Sequence, residues 1–343
     1  MNLRSLSPKI LKIVFSYLSL TDIKNLDLVC IYIRKIVSDP IFWSKSKLTK
    51  PKKSQNVLLG LEYKKFSQLS CLDLSVFELN LHENNNSKLL LNYLQNNSNL
   101  KSLNLSTNDL SMLPVVTFMN SICTCEEIIL SKTNLKMEQA TSILEAVSES
   151  KYICSLDMSF NDLKFVNELV LEKSLKRLTK FNFSNCNLSK IRLGQIGCIV
   201  ETLTNSSIGY VDLSGSNMTQ VTFDCIGFNQ NLKTIRLCNV SFSNKFINYI
   251  FTNLSLVKSL SLLDLSNSTL SAAEPVLLSD AVIRIHHVNL ASCDLTCEHA
   301  AYVLNYLNRE TKIKELFLFG NDLAQLDQGS ILNALKYLEV FQF

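Results

Sequence analysis

The chain has 343 residues, with 34 Lys and Arg against 30 Asp and Glu, a formal net charge of +4, and 47% hydrophobic and 19% charged residues. It contains no uninterrupted apolar run long enough to span a bilayer, and Arg4, Lys9 and Lys12 interrupt any apolar region that could serve a signal peptide. Its 11 cysteines, an odd number, favour reduced thiols in cytoplasm or nucleus over a disulfide framework.

Residues 5–48 carry no repeat and read as compact helices. Ser7-Pro8 opens the first helix, with proline where a missing N–H costs little. Ile10, Leu11, Val14, Phe15 and Leu18 form its apolar stripe. Ser19–Asp22 breaks it, and Thr21 or Asp22 is expected to cap the next helix. Ile23, Leu26, Val29 and Cys30 make a second stripe. Ile33, Ile36 and Val37 follow, then Asp39-Pro40 and Trp43, the one tryptophan of the chain.

Together with Leu6, Tyr17, Leu20–Ile23, Leu28, Arg34 and Ser38, in this order and spacing, the stretch resembles the F-box. Pro8 stands one place later than in the family's usual Leu-Pro, and Lys9 stands where the family favours an acid. The resemblance implies a domain over residues 1–48 that docks on the small adaptor subunit of SCF-type ubiquitin ligases and, through it, on a cullin. It places Leu6, Pro8, Ile10, Leu11, Val14, Phe15, Leu18, Val29, Cys30 and Trp43 at or behind the docking face. A domain this small buries little on its own, and partly exposed apolar stripes then mark a binding surface. Read from the residues alone, the same side chains could equally form just the core of a three-helix cap.

Residues 1–53 hold 11 Lys and Arg against 3 Asp and Glu, a net of +8, which leaves −4 for the remainder. The tract Lys45–Lys53 (KSKLTKPKK) reads as a solvated linker end, a nuclear address or a surface for an acidic partner. Residues 49–68 form an entry segment.

From residue 69 onward one spacing recurs: apolar, two others, apolar, one other, apolar, as in Leu100-x-x-Leu103-x-Leu105-x-x-Asn108-x-Leu110. This is the leucine-rich-repeat signature. The register position falls at Leu72, Leu103, Ile128, Leu156, Phe181, Val211, Ile235, Leu263, Val288, Leu316 and Leu338, in alternating longer and shorter steps. Helical spacing lies between, over Lys88–Gln95, Met137–Ser150 and Glu298–Asn308. The expected fold class is α/β: a leucine-rich-repeat solenoid (horseshoe) over 69–343, with a parallel concave sheet and outer helices of ribonuclease-inhibitor-like type, preceded by the small all-α domain. Asn108, Asn161, Asn321, Cys186 and Cys293 are expected to bond the turn backbone in a ladder. The pattern stops inside an eleventh unit, which predicts a truncated product or a strand that itself covers the stack.

No enzyme chemistry, cofactor or metal site is expected. The nearest metal pattern is Cys293, Cys297 and His299 with His286-His287 one strand earlier, but Cys293 already has a place in the ladder. The repeats carry no basic stripe, so nucleic acid is not an expected partner, and neither is a membrane.

On the inner face, one column reads Asp73, Asn104, Ile129, Asp157, Asn182, Asp212, Arg236, Asp264, Asn289, Phe317; the next runs from Ser75 to Phe319. Small polar groups in these columns suit the repeat itself. The departures point to a bound protein, since binding hot spots favour aromatics and Arg, or, for Phe317 and Phe319, to an end cap in which the partial last unit covers them. The expected target-binding residues are Phe160, Tyr210, Lys233, Arg236, Asp264, His287, Phe317 and Phe319. With the F-box resemblance, this implies the substrate-recognition subunit of an SCF-type ubiquitin ligase, holding an unidentified protein target by proximity and without catalytic residues. The alternative is a non-catalytic scaffold or enzyme inhibitor in which the N-terminal helices cap the solenoid.

Overall fold

A computed structural model describes residues 7–18, 20–27, 29–37, 39, 42, 69–75, 79, 81, 84–188, 199, 203, 207–219 and 228–343. The chain forms two compact units, residues 1–146 with 150–156 and residues 147–149 with 157–343. The 49–68 entry segment, Leu6 and Trp43 lie outside the described residues.

The first unit begins with three short helices, α1 (Pro8–Phe15), α2 (Leu20–Asp27) and α3 (Ile31–Val37). Ser7 caps α1, its hydroxyl oxygen accepting from the Ile10 N–H at 3.4 Å, with Pro8 in the first turn as its missing N–H allows. The expectation that Thr21 or Asp22 caps α2 is corrected. The helix starts at Leu20, so both lie inside its first turn, where the Asp22 carboxylate offsets the helix dipole. Leu11, Phe15, Ile23, Ile33, Ile36, Val37 and Phe42 are buried, and the Phe15 and Phe42 rings lie 6.5 Å apart.

Strand and helix then alternate: β1 (Cys71–Asp73), α4 (Asn84–Asn96), β2 (Ser102–Asn104), α5 (Val115–Ser121), β3 (Glu127–Ile129) and α6 (Met137–Glu149). The three strands are parallel, with Leu72, Leu103 and Ile128 in one row. Strand β4 (Ser155–Asp157) stands at the division between the units.

The second unit continues with α7 (Glu168–Leu175), β5 (Lys180–Asn182), β6 (Tyr210–Asp212), β7 (Asn217–Met218), β8 (Thr234–Arg236), β9 (Ser241–Phe242) and α8 (Asn244–Leu254). After these come β10 (Leu262–Asp264), α9 (Pro275–Val282), β11 (His287–Asn289), α10 (Cys297–Asn305), β12 (Glu315–Phe317), α11 (Gln328–Tyr337) and β13 (Val340–Gln342). Strands β5, β6, β8, β10, β11, β12 and β13 pair in that order, all parallel; β7 and β9 form a separate short pair.

The middle residue of each three-residue strand from β1 to β12 is buried and its neighbours are mostly half-exposed, so each sheet has one face in the core and one open. From Leu72 to Leu316 those middle residues are the ones the sequence spacing names. The eleventh is not. Leu338 is the C-cap of α11, and Phe341 pairs with Leu316 in its place. Truncating a buried register side chain to Ala costs ~2–5 kcal/mol, so these rows carry much of the stability.

Several turns after a strand are tied back to the previous repeat. Asn108 Nδ2 donates to the Leu74 carbonyl at 3.1 Å and its Oδ1 accepts from the Leu79 N–H at 2.6 Å. Asn321 Nδ2 donates to Leu290 O at 2.8 Å, and Cys186 and Cys293 Sγ donate to Met158 O and Leu265 O, both at 3.1 Å. Ser268 serves in the same place, donating to Leu237 O at 2.8 Å and accepting from Val240 N at 2.9 Å. One residue earlier the backbone turns left-handed, a conformation that favours Gly and Asn. Gly215, Asn185, Asn239, Asn267 and Gly320 obey this; Thr107, Lys132, Ser292 and the bulkiest of the exceptions, Phe160 at φ 57°, do not. Among the described residues no helix is long and apolar enough to cross a membrane.

Candidate functional site

Two surfaces stand out, one on each unit. On the first, Ile10, Ile13, Val14 and Tyr17 recur at i, i+3, i+4 and i+7 and so share one side of α1 and its end. They are exposed by 47, 61, 46 and 85%. Leu18, Val29 and Ile31 are exposed as well, as is Pro8, and Cys30 is half-buried. Leu11 and Phe15 belong to the core, behind this apolar surface and not on it. Ile13 and Ile31 are the additions that spacing alone did not single out.

On the second unit, the open sheet face carries a pocket of about 290 Å³ lined by Arg236, Leu262, Leu263, Asp264, His287, Val288, Asn289, Glu315 and Phe317. Strand pairing explains the set. Arg236, Asp264, Asn289 and Phe317 form one row across β8, β10, β11 and β12, and Thr234, Leu262, His287 and Glu315 form the row beside it. Residues on either side of a register leucine point to the same face, which is why Glu315 and Leu262 join the site beside the expected His287, although neither was among the expected residues.

Of the eight expected target-binding residues, the pocket brings together Arg236, Asp264, His287 and Phe317. Tyr210 lies on β6, two strands from β10, with Lys180 Nζ 5.8 Å from its ring centre; burial, then Asp212, pushes its hydroxyl upward. Lys233 is exposed beside β8. Phe160 and Phe319 are exposed by 57 and 47% at the turns after β4 and β12. None of these four lines the pocket.

The acidic column is fastened to the serine column. Asp264 Oδ1 accepts from the Ser266 N–H at 3.1 Å and its hydroxyl at 2.8 Å, and Asp73 with Ser75, Asn104 with Ser106 and Asp157 with Ser159 repeat the pattern. These bonds hold each carboxylate at a fixed place on the face and leave further acceptor positions on it. Within the pocket His287 Nδ1 lies 2.9 Å from Glu315 Oε2. Just outside, Lys314 pairs with Glu339 at 2.8 Å, and that hydrogen bond holds the Glu339 carboxyl below its ordinary range.

The Cys293, Cys297 and His299 constellation is taken apart by its own bonds. Cys297 Sγ points to Asp322 O at 3.5 Å; His299 Nδ1 accepts from the Thr296 N–H at 3.3 Å while Nε2 meets Ala273 O at 2.9 Å. Burial pushes the Cys125, Cys186 and Cys293 thiols up to about 12, so they are inert core groups at neutral pH.

No family model matches the chain. Among curated proteins it is similar to "NACHT, LRR and PYD domains-containing protein 13" of Homo sapiens, 25% identical over 258 residues, which cover 71% of this chain. The chain spans 24% of that relative's length. Among solved structures it is similar to the leucine-rich-repeat-containing protein LegL7 from Legionella pneumophila, at 16% identity and a TM-score of 0.48, covering 85% of this chain and 97% of that one. The strand–helix repeats, the register rows and the human relative agree: this is a chain of leucine-rich-repeat architecture.

Proposed function

We propose that this chain is a protein receptor of an SCF-type ubiquitin ligase. The N-terminal helices dock on the adaptor, and the open face of the second unit holds the protein to be modified. The adaptor reading is supported by one observation above the rest. A three-helix segment that buries Leu11 and Phe15 leaves Ile10, Ile13, Val14, Tyr17, Val29 and Ile31 open to solvent. A helical cap has no use for six exposed aliphatic and aromatic side chains beyond its own core, whereas a docking surface does.

The receptor contributes proximity. Holding a target near a recruited conjugating enzyme raises the effective concentration of its lysines at the transfer site. Co-expression of the full chain with adaptor and cullin tests the reading. Comigration in gel filtration, lost on Ile10→Asp/Val14→Asp, is expected. A folded chain that elutes without the adaptor reduces the proposal to a repeat scaffold or inhibitor.

A further inference from the structure

We propose that the pocket across β8, β10, β11 and β12 seats a lysine or arginine side chain of a polypeptide partner, its charged end held between Asp264 and Glu315 against the ring of Phe317. The proposal rests on the reading that this face holds a protein, and adds which chemistry it selects.

Size argues first. About 290 Å³ falls at the bottom of the ~300–1,000 Å³ span of small-molecule pockets, room for one long side chain and not for a cofactor. Shape follows from the two rows. Leu262 and Phe317 give apolar surface at diagonal corners, and His287 and Asn289 lie between. Neighbouring strands are ~4.8 Å apart and residues rise ~3.3 Å along a strand, so Asp264 on β10 and Glu315 on β12, at opposite diagonal corners, have backbones about 12 Å apart, one on either side of the pocket. An aliphatic stem can lie on the apolar corners while its charged end reaches a carboxylate, as long basic side chains do.

Charge decides between cation and anion. Among the lining residues one permanent cation, Arg236, stands against two carboxylates, Asp264 and Glu315. Arg236 is also flanked in register by Asp212 on β6 and Asp264 on β10. An anion approaching Arg236 has to settle between those two carboxylates. A cation meets Asp264, fixed by Ser266, then Glu315, fixed by His287, and the Phe317 face. Charge-assisted hydrogen bonds and a cation–π contact then act together.

The test uses the full chain as bait for a display library of random 12-residue peptides, run in parallel on wild type, Asp264→Asn/Glu315→Gln, Glu315→Lys and Phe317→Ala, each checked for an unchanged melting curve. Wild type is expected to enrich Lys and Arg, the double variant to lose that enrichment, and Glu315→Lys to reverse it towards Asp and Glu. The strongest enriched peptide, resynthesised with a fluorophore, is expected to bind the double variant at least tenfold more weakly. Enrichment of acidic or uncharged peptides that still depend on Phe317 overturns the basic preference and keeps the protein-binding face. Enrichment of no peptide, or of peptides indifferent to all the variants, overturns both.

Discussion

His287 on β11 and Glu315 on β12 sit side by side in register, Nδ1 2.9 Å from Oε2, with Leu262 next along the same row. Their side chains are 46 and 35% exposed. Exposed pairs of this kind contribute ~0–1 kcal/mol, so the pair does little for the fold and is available to a ligand. Glu315→Gln should therefore shift the urea midpoint by an amount equivalent to less than ~1 kcal/mol. A loss of several kcal/mol would make the pair a structural strut.

Two serines at equivalent turn positions should behave in opposite ways. Ser268 bridges Leu237 O and the Val240 N–H, whereas Ser216 is buried with no partner for its hydroxyl among the described residues. Losing a bridging hydroxyl leaves a buried amide unmet, at ~1–3 kcal/mol. Ser268→Ala should destabilise by about that much, while Ser216→Ala should be neutral or mildly stabilising. Equal effects in chemical denaturation would break the ladder account.

Phe160 occupies the left-handed turn that Asn or Gly holds in five other repeats, and its ring is 57% exposed. A bulky residue there costs roughly 1–2 kcal/mol. Phe160→Asn should raise stability by up to about that amount. If Phe160 also touches the bound protein, the same variant should weaken target capture, so stability and binding move in opposite directions.

Alkali should loosen the core. Cys125, Cys186 and Cys293 ionise near 9.0 when unfolded but only at about 12 when folded. Above pH 9 the unfolded chain has released protons that the folded chain keeps, so stability is whole below pH 9 and falls as pH rises towards 12. The slope is at most ~1.4 kcal/mol per pH unit for each thiol. Urea midpoints at pH 8 and 10 should show the fall, and Cys125→Ala should make it shallower.

The repeat was legible because burial of one face forces a fixed spacing, and ten register residues from Leu72 to Leu316 follow it. The eleventh was misread because Leu335-x-x-Leu338-x-Val340 imitates the strand spacing by accident: α11 runs through Leu335 to Tyr337, and the strand starts only at Val340. Arg236 and Phe317 were legible as departures in a column, and Asp264 as a member of it. Glu315 was not, since it precedes its register leucine, where no column was drawn; strand alternation was the signal that would have found it. Ile13 and Ile31 were hidden for a different reason. A stripe of apolar residues announces a helix's buried side, and nothing in spacing tells a second apolar side facing solvent from more core. The role of Ser268 in the turn ladder escaped notice because Ser at that position, unlike Asn or Cys, reads as an ordinary turn residue.

The most direct measurement is the affinity of the purified full chain for the SCF adaptor, in wild type and in Ile10→Asp/Val14→Asp. Both side chains are nearly half exposed, so the variant should keep its melting curve, whereas truncating buried Leu11 or Phe15 would confuse docking with unfolding. Saturable binding by wild type that falls at least tenfold in the variant is the predicted result. No binding by a folded wild-type chain, or binding that the variant retains in full, contradicts the receptor reading.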